Sequence, residues 1–313
     1  MPLDSHAKKL LEMLNAAGVA DMSRMAPEEM REGFERLAEM VGVSGVAVDA
    51  VEDRKLPGPG GPIPIRLYAP KGGGGATLPG LIYFHGGGGV FGSIASHDSL
   101  CRVLANASAC RVVSVGYRLA PEHRFPAAVE DAFAATGWIA AHAREFRVDP
   151  RRIAVGGDSI GGGLAAVVCR MARDGGGPDI ALQVLLCPAM DMSNSSDSRA
   201  AFAAGYFLNQ ATIDWTLKHY CAQGVDLADP RMSPLLVEDL SGLPSAQVHT
   251  AEFDPLRSEG AAYAERLKCA GVAVRHTCHA GMIHHFYAMG GVIPYARTAV
   301  AAAGAAIRSA LAS

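Results

Sequence analysis

The chain has 313 residues and a formal net charge of −3; half of its residues are hydrophobic and 19% are charged. These values are typical of a soluble globular protein with one large α/β domain or two smaller ones. The near-neutral charge gives no electrostatic basis for binding nucleic acid or an anionic membrane surface, and no apolar run is long enough to span a bilayer.

Two amphipathic helices are predicted before any strand. Leu10, Leu11 and Leu14 recur at helical spacing within residues 6–17. Pro27 begins a second helix, which Gly42 ends. Helices in this position can cap another part of the molecule. The N-terminal segment lacks the apolar region of a signal peptide, so we expect a cytoplasmic protein.

Apolar runs with strand character then recur along the chain. Two short strands are predicted at 46–53 and 63–68. Six buried strands are predicted at 80–84, 111–117, 152–156, 182–187, 246–251 and 272–278, and most are separated by helical stretches at 97–108, 126–143, 162–173 and 256–270. This alternation indicates an α/β fold with a mostly parallel, eight-stranded sheet and helices on both faces. Functional loops of such a sheet lie at the carboxyl ends of its strands.

One interval interrupts this alternation. Nearly sixty residues separate Cys187 from Ala246, and they include a helix near 209–222 for which Asn209 is a plausible N-cap. An insertion of this length usually covers a site.

The stretch YFHGGGGVFG at 83–92 contains the pattern GxGxxG, formed by Gly87, Gly89 and Gly92. A dinucleotide site would also need an acidic residue about 20 positions later, and none occurs between Asp98 and Glu122. An arginine such as the one at position 118 would suit a phosphorylated ribose, so a dinucleotide site remains a weaker alternative.

A second glycine cluster points to a nucleophile. Gly157, Ser159 and Gly161 match GxSxG, with a strand leading in and a helix leading out. This is the context of a nucleophile elbow, in which the serine hydroxyl stands above the sheet edge at a helix N-terminus. A glycine-rich turn with an incidental serine is the structural alternative.

A serine nucleophile needs a base, and the base needs an orienting acid. In this architecture the chain order is serine, acid, histidine. Asp254 follows the predicted strand at 246–252, and the pair His284 and His285 follows the strand at 272–278. Glu252 and Asp191 are rival acids, but Glu252 should still lie within its strand and Asp191 follows a different strand.

Six motifs occur together and in order between about residues 60 and 290. They are His85-Gly86-Gly87-Gly88, Tyr117-Arg118-Leu119-Ala120-Pro121-Glu122, Gly157-Asp158-Ser159-Ile160-Gly161-Gly162, Asp229-Pro230-Arg231, Asp254-Pro255-Leu256 and Ile283-His284. As a set they resemble the hormone-sensitive-lipase-like (bacterial family IV) carboxylesterases of the α/β-hydrolase superfamily.

The resemblance implies an α/β-hydrolase catalytic domain at 46–313, N-terminal cap helices at 1–45 and a cap insertion at about 190–232. It implies a serine esterase for short- to medium-chain acyl esters that uses no cofactor or metal, and it is compatible with a homodimer. An amidase or lactonase with the same triad, or a non-catalytic small-molecule receptor on this scaffold, are the alternatives.

The resemblance also assigns site residues. Ser159 would be the nucleophile, Asp254 the acid and His284 the base. The oxyanion hole would consist of the backbone N–H groups of Gly87, Gly88 and Ile160.

Several positions near these motifs carry separate expectations. Ile160 stands where the family commonly has alanine, so we expect it to affect which acyl groups fit. His285 stands where the family usually has glycine, and we expect it to face solvent or the pocket rim. Gly89, where the family often has a bulkier residue, is expected to widen the acyl site. Asp158 is expected to be a structural hydrogen-bonding group, and His85 to position the glycine loop.

The cysteines and histidines suggest no further chemistry. Seven cysteines form no C-x-x-C motif, which predicts buried, reduced thiols. The histidines at 276, 279, 284 and 285 lack a recognisable metal-ligand spacing, so no metal site is expected.

Overall fold

A central sheet organises the molecule. In the computed structural model, which describes residues 1–16, 25–193 and 196–312, this sheet has eight strands in the order β1-β2-β4-β3-β5-β6-β7-β8. The strands are β1 (Ala50–Leu56), β2 (Ile63–Ala69), β3 (Leu78–Phe84), β4 (Arg111–Val115), β5 (Val148–Asp158), β6 (Leu182–Leu186), β7 (Ser245–Phe253) and β8 (Val274–Ile283).

The strand pairing is mostly parallel. β1 pairs with β2, and β2 with β4, in antiparallel fashion, while every other neighbouring pair is parallel. β4 and β6 are fully buried, and β3 and β5 are buried from Gly80 and Ile153 to their ends, as expected for parallel strands covered on both faces. The predicted mostly parallel, eight-stranded α/β sheet is confirmed.

Helices cover both faces of this sheet. They are α1 (Ser5–Ala16), α2 (Pro27–Val41), α3 (Asp98–Ser108), α4 (Ala127–Ala141), α5 (Ile160–Gly175), α6 (Asp197–Ala201), α7 (Gln210–Tyr220), α8 (Arg257–Cys269) and α9 (Pro294–Ala310). Side chains of α4, α5 and α8 belong to one apolar core, whereas α1, α3 and α9 belong to the other. Successive β3 residues alternate between the two cores, because neighbouring side chains of a strand point to opposite faces.

Some elements differ from the sequence-based prediction. The helix α9 was not predicted, although Pro294 at its first turn and buried residues at helical spacing, such as Ala296, Ala299, Val300 and Ala303, are a helix signal. β1 begins four residues later than predicted, because pairing with β2 sets its register from Ala50. The last residue of the first predicted helix, residue 17, lies outside the described residues.

β8 is the strand whose extension matters for the site. It was predicted to end at residue 278, but it continues to Ile283, so His284 follows it directly. Pairing with β7 sustains this extension, since Phe253 and Ile283 are partners at its end.

The cysteines are all unpaired, and four of the seven are buried; Cys269 and Cys278 are exposed, contrary to the expectation of buried thiols throughout. Within the described residues, no helix combines the length and the apolar character that crossing a membrane requires.

Candidate active site

Ser159 occupies a sharp turn between a strand and a helix. β5 ends at Asp158 and α5 begins at Ile160, so a single residue makes the change of direction. Its backbone is strained for a residue with a side chain, with φ 55° and ψ −123°. Gly161 is required here, because a Cβ at that position would collide with the carbonyl oxygen of Phe84. The turn leaves Ser159 partly exposed between buried neighbours, as a nucleophile elbow does.

His284 and Asp254 form a buried pair at the ends of β8 and β7. The Nδ1 of His284 lies 2.8 Å from Oδ2 of Asp254, whose side chain is fully buried. The other carboxylate oxygen accepts a hydrogen bond of 2.8 Å from the backbone N–H of Leu256. The carboxylate therefore accepts a hydrogen bond from the Nδ1–H group of His284, which leaves the Nε2 of His284 as an acceptor.

Two opposing effects act on the pKa of His284. Burial disfavours the charged imidazolium, but the attraction of Asp254 and the hydrogen bond to it together outweigh this effect. The pKa of His284 is therefore raised above its ordinary value. A base with a raised pKa takes a proton from a hydroxyl more readily.

One cavity connects these groups. Ser159 and His284 both line it, together with Gly87, Gly88 and Ile160. The cavity contains about 780 Å³ of space, including its open mouth. The structure thus brings five of the six predicted site residues to one cavity, and the sixth, Asp254, is bonded to His284 behind it.

The loop after β3 brings backbone N–H groups to this cavity. Gly87 has a φ of 113°, and a Cβ there would collide with the carbonyl oxygen of Phe91. In the described residues, no acceptor is bonded to the N–H groups of Gly87 and Gly88. Ile160 is the first residue of α5, where helix geometry supplies no acceptor for the N–H. These three donors can bind an anion that develops on a substrate oxygen.

Comparison with known proteins identifies the family. A family model for the alpha/beta hydrolase fold matches residues 81–288. The chain belongs to the α/β-hydrolase family. The resemblance to its hormone-sensitive-lipase-like esterases is thereby confirmed.

Similar proteins share this family. The hydrolase is 48% identical to carboxylic ester hydrolase LipN of Mycobacterium tuberculosis, over 75% of this chain and 64% of that protein. It is 38% identical to an arylesterase of Saccharolobus solfataricus, over 91% of this chain and 92% of the arylesterase. Its structure matches an ester hydrolase from the metagenome of Lake Arreo, complexed with a bipyridine phosphonate derivative, with a TM-score of 0.96, 42% identity, and coverage of 99% and 100% of the two chains.

Asp158 of the hydrolase joins several parts of the site. Its Oδ1 accepts hydrogen bonds from the Tyr83 hydroxyl, at 2.8 Å, and from the Gly86 N–H, at 3.0 Å. Nε2 of His97 lies 3.1 Å from the same oxygen, and Nδ1 of His285 lies 3.1 Å from Oδ2. Asp158 therefore ties the nucleophile turn to the glycine loop and to the histidine loop, in agreement with the structural role expected for it.

The expectation for His285 was partly wrong. The residue lines the cavity, but it is only 8% exposed and does not face solvent. The bond to Asp158 and the packing of Phe207 and Phe34 against the ring hold it inside. Burial lowers the pKa of His285 below its ordinary value, despite the hydrogen bond to Asp158, so the ring is neutral at neutral pH.

His85 is not bonded to Ser159 or His284 in the structure. Its ring stacks on Tyr117 with centroids 4.3 Å apart, and its Nδ1 donates to the carbonyl of Gly86. Burial lowers the pKa of His85 to about 3, which keeps it neutral. These contacts fit a role in holding the glycine loop.

The two rival acids lie in other hydrogen bonds. Glu252, within β7, accepts from the Gly281 N–H and from the N-terminal amine. Asp191 accepts from the backbone and side chain of Ser193. In the part of the chain that the structure describes, neither accepts a hydrogen bond from a histidine.

The expectations for Gly89 and Arg118 are not supported by the structure. Gly89 does not open space toward the acyl site, because a Cβ there would collide with the ring of Tyr220. Arg118, considered for a phosphorylated ribose, is instead paired with the buried Asp131 at 2.9 Å. This removes the support for a dinucleotide at the glycine stretch.

Two groups of potential metal ligands come together: His97, Asp158 and His285, and Cys187, Asp254 and His284. In each group the carboxylate is within hydrogen-bonding distance of a histidine nitrogen. In each group, a carboxylate oxygen that would bind a cation thus accepts a hydrogen bond from a histidine N–H group. The donor chemistry accounts for both groups without an ion.

Most residues of the cavity wall were not predicted from the sequence. α2 contributes Phe34, α6 contributes Arg199, and the insertion adds Phe207 and one face of α7. The periodicity of α7 offered a signal, since Thr212, Ile213, Thr216, Leu217 and Tyr220 fall on one helical face. No local pattern indicated which helix faces would meet over the nucleophile.

Proposed function

We propose that the protein hydrolyses short- to medium-chain acyl esters through an acyl-enzyme intermediate on Ser159, with His284 as base and Asp254 as orienting acid. The carboxylesterase class itself follows from its relatives, which include a carboxylic ester hydrolase and an arylesterase. The single observation that supports the catalytic assignment is the 2.8 Å His284–Asp254 pair, on a cavity that it shares with a strained Ser159 turn.

In the first half of the reaction, the ester carbonyl lies in the cavity with its oxygen toward the N–H groups of Gly87, Gly88 and Ile160. His284 Nε2 accepts the proton of Ser159 as its oxygen attacks the carbonyl carbon. Each N–H donor that meets the developing oxyanion is worth roughly 3 kcal/mol. His284 then protonates the leaving alcohol, and the acyl group stays on the serine.

In the second half, water replaces the alcohol. His284 takes a proton from the water as the water oxygen attacks the acyl carbonyl carbon. The tetrahedral intermediate then collapses: its bond to the serine oxygen breaks, that oxygen recovers the proton from His284, and the carboxylic acid is released. Asp254 accepts the hydrogen bond from the Nδ1–H group of His284 throughout and stabilises the imidazolium that forms twice in each cycle.

The helices at 1–45 and the insertion at about 190–232 are proposed to act together as the cap of a catalytic domain that spans 46–313. The positions of Phe34, Phe207 and α7 in the cavity wall support this division. The guanidinium of Arg31 attaches α2 to the glycine stretch, through the carbonyl of Val90, and to the loop after β4, through the carboxylate of Glu122.

Acyl size should depend on Ile160, which is 5% exposed and lines the cavity. Ile160→Ala should shift the preference toward longer or bulkier acyl groups in a series of aryl esters. An unchanged chain-length profile would exclude this role.

A labelling experiment tests the nucleophile. An aryl phosphonate should add to Ser159 one for one, and mass spectrometry of the peptide should locate it. Ser159→Ala should remove both the label and the esterase activity. Activity without labelling would refute Ser159 as nucleophile, and absence of both in the folded wild type would support the receptor alternative.

Matched esters, amides and lactones of one acyl chain distinguish the remaining alternatives. We expect the ester to have the highest kcat/KM. Location in the cytoplasm and a homodimer are also proposed; cell fractionation and analytical ultracentrifugation measure them directly.

A further inference from the structure

His285 has an unusual backbone conformation. Its φ of 63° lies in the left-handed region, which few residues other than glycine adopt, although histidine is among the side chains enriched there. Glycine, the usual residue of the family here, would take this conformation without strain. The ring lies beside the candidate base and lines the same cavity.

The hydrogen bonding of His285 fixes its tautomer. Asp158 is a carboxylate with a pKa well below its ordinary value, since the attraction of His97 and the hydrogen bonds from His285 and His97 together outweigh its burial. The neutral imidazole must therefore donate from Nδ1 to Oδ2, 3.1 Å away. Its Nε2 then carries a lone pair, and the ring becomes a fixed hydrogen-bond acceptor.

This acceptor is available to a bound molecule. Among the described residues, no donor is bonded to Nε2 of His285, whereas the ring lines the cavity with Ser159 and His284. Phe207 is nearly parallel to the ring, with centroids 5.9 Å apart, and Phe34 lies against it at 5.4 Å. Packing thus holds the acceptor in one orientation.

A second residue of the cavity wall has a buried polar atom that lacks a partner. Thr212 is 2% exposed and lines the same cavity, yet its hydroxyl has no hydrogen-bond partner among the described residues. Thr216, one turn later on α7, lines the cavity too, but its hydroxyl donates to the carbonyl of Ile213 at 2.8 Å. A buried polar group without a partner is costly, and a substrate that supplies the partner is favoured over one that does not.

We propose that His285 and Thr212 form a polar subsite that selects esters carrying a hydroxyl group on the acyl or alcohol part. A hydroxyl suits both atoms, because it can donate to Nε2 of His285 and exchange a hydrogen bond with the Thr212 hydroxyl. The inference rests on the proposed esterase function and specifies its substrate class.

The test measures kcat/KM for two substrate pairs. One pair is 4-nitrophenyl 3-hydroxybutanoate and 4-nitrophenyl butanoate, and the other is 2-hydroxyethyl butanoate and ethyl butanoate. Within at least one pair, wild-type enzyme should favour the hydroxylated ester. Thr212→Val and His285→Phe should each reduce the ratio of kcat/KM for the hydroxylated ester to kcat/KM for the plain ester about tenfold. This lies within the range found for sites that pair or fail to pair a polar group.

Thr216→Val is the matched control. It removes a hydroxyl from the same wall of the cavity, but this hydroxyl already has a hydrogen-bond partner in the carbonyl of Ile213. Its ratio should stay within about twofold of wild type. The ratio cancels intrinsic ester reactivity and any general loss of activity. His285→Gly is a second variant at a backbone conformation that suits glycine, and it should lower the ratio as the phenylalanine does.

The proposal is overturned if both threonine variants change the ratio equally, or if neither pair responds to His285→Phe and His285→Gly. A folded wild-type enzyme that hydrolyses no plain butanoate ester would instead refute the proposed function. The two failures are thereby distinguishable.

Discussion

Replacement of Asp254 by asparagine changes one atom of the candidate triad and keeps its shape. The amide oxygen of Asn can still accept from the Leu256 N–H, so the NH₂ group is directed at Nδ1 of His284. The NH₂ group of Asn and the Nδ1–H group of His284 are both donors, so they cannot form a hydrogen bond with each other. His284 must therefore move its proton to Nε2, the nitrogen that has to accept the proton of Ser159.

The expected loss is large because the wrong tautomer is inactive. The corresponding change in a serine protease triad lowers kcat about 10⁴-fold, which is about 5 kcal/mol of transition-state stabilisation. Asp254 is fully buried and its hydrogen bond is 2.8 Å long, so solvent cannot supply a substitute. We therefore expect Asp254→Asn to lower kcat for 4-nitrophenyl butanoate by about 10³- to 10⁴-fold at neutral pH.

Glu252→Gln is the matched control, since it makes the same carboxylate-to-amide change two residues earlier. Its side-chain oxygen can still accept from the Gly281 N–H, and we expect its kcat to stay within about threefold of wild type. Circular dichroism should show folded protein for both variants. An Asp254→Asn enzyme with more than about a tenth of wild-type kcat, or an equal loss in Glu252→Gln, would refute the assignment.

Three further predictions concern pH, the oxyanion hole and stability. His284 must be neutral to act as base and its pKa is raised above its ordinary value, so kcat/KM should fall as pH drops through a midpoint higher than that of an unperturbed histidine; a rate that stays flat through that range would contradict this. Gly87→Ala should lower kcat roughly 10²- to 10³-fold, because its Cβ would displace the loop that holds the N–H donor; unaltered kcat would exclude that donor. Arg199→Ala should destabilise the protein by up to about 3–5 kcal/mol in urea unfolding, since it removes the 3.0 Å partner of Glu259, a buried carboxyl whose pKa burial raises to about 7. Arg36→Ala, at an exposed pair, should cost less than about 1 kcal/mol, and equal losses would contradict the role of burial.

The chemistry of short segments can be predicted from the sequence alone. A serine between glycines, with a strand before it and a helix after it, has few backbone options, so the turn at Ser159 follows from GxSxG and its flanks. Asp254 and the pair His284 and His285 are found in the same way, because residues just past parallel strands meet at one sheet edge. The choice of His284 over His285 came from the family resemblance. The fold class follows from the alternation of buried strands and helices.

Positions that depend on long-range pairing were predicted less well. The bounds predicted for β1 and β8 were wrong because the extent of a strand depends on the partner beside it as well as on its own apolar residues. α9 was also not predicted, but for a different reason. Its own residues carry a helix signal, so the local sequence was sufficient to predict it. Gly89 was expected to open the acyl site, but a helix more than a hundred residues away places Tyr220 against it.

The chain thus encodes the turn and the order of nucleophile, acid and base in short segments, where backbone sterics and side-chain alternation act over a few residues. Only tertiary packing places His285 against Asp158, 127 positions away, and sets Thr212 and Phe34 in the wall of the same cavity. A buried hydrogen bond or an unpaired hydroxyl has no sequence pattern of its own, because it depends on which distant surfaces exclude water together.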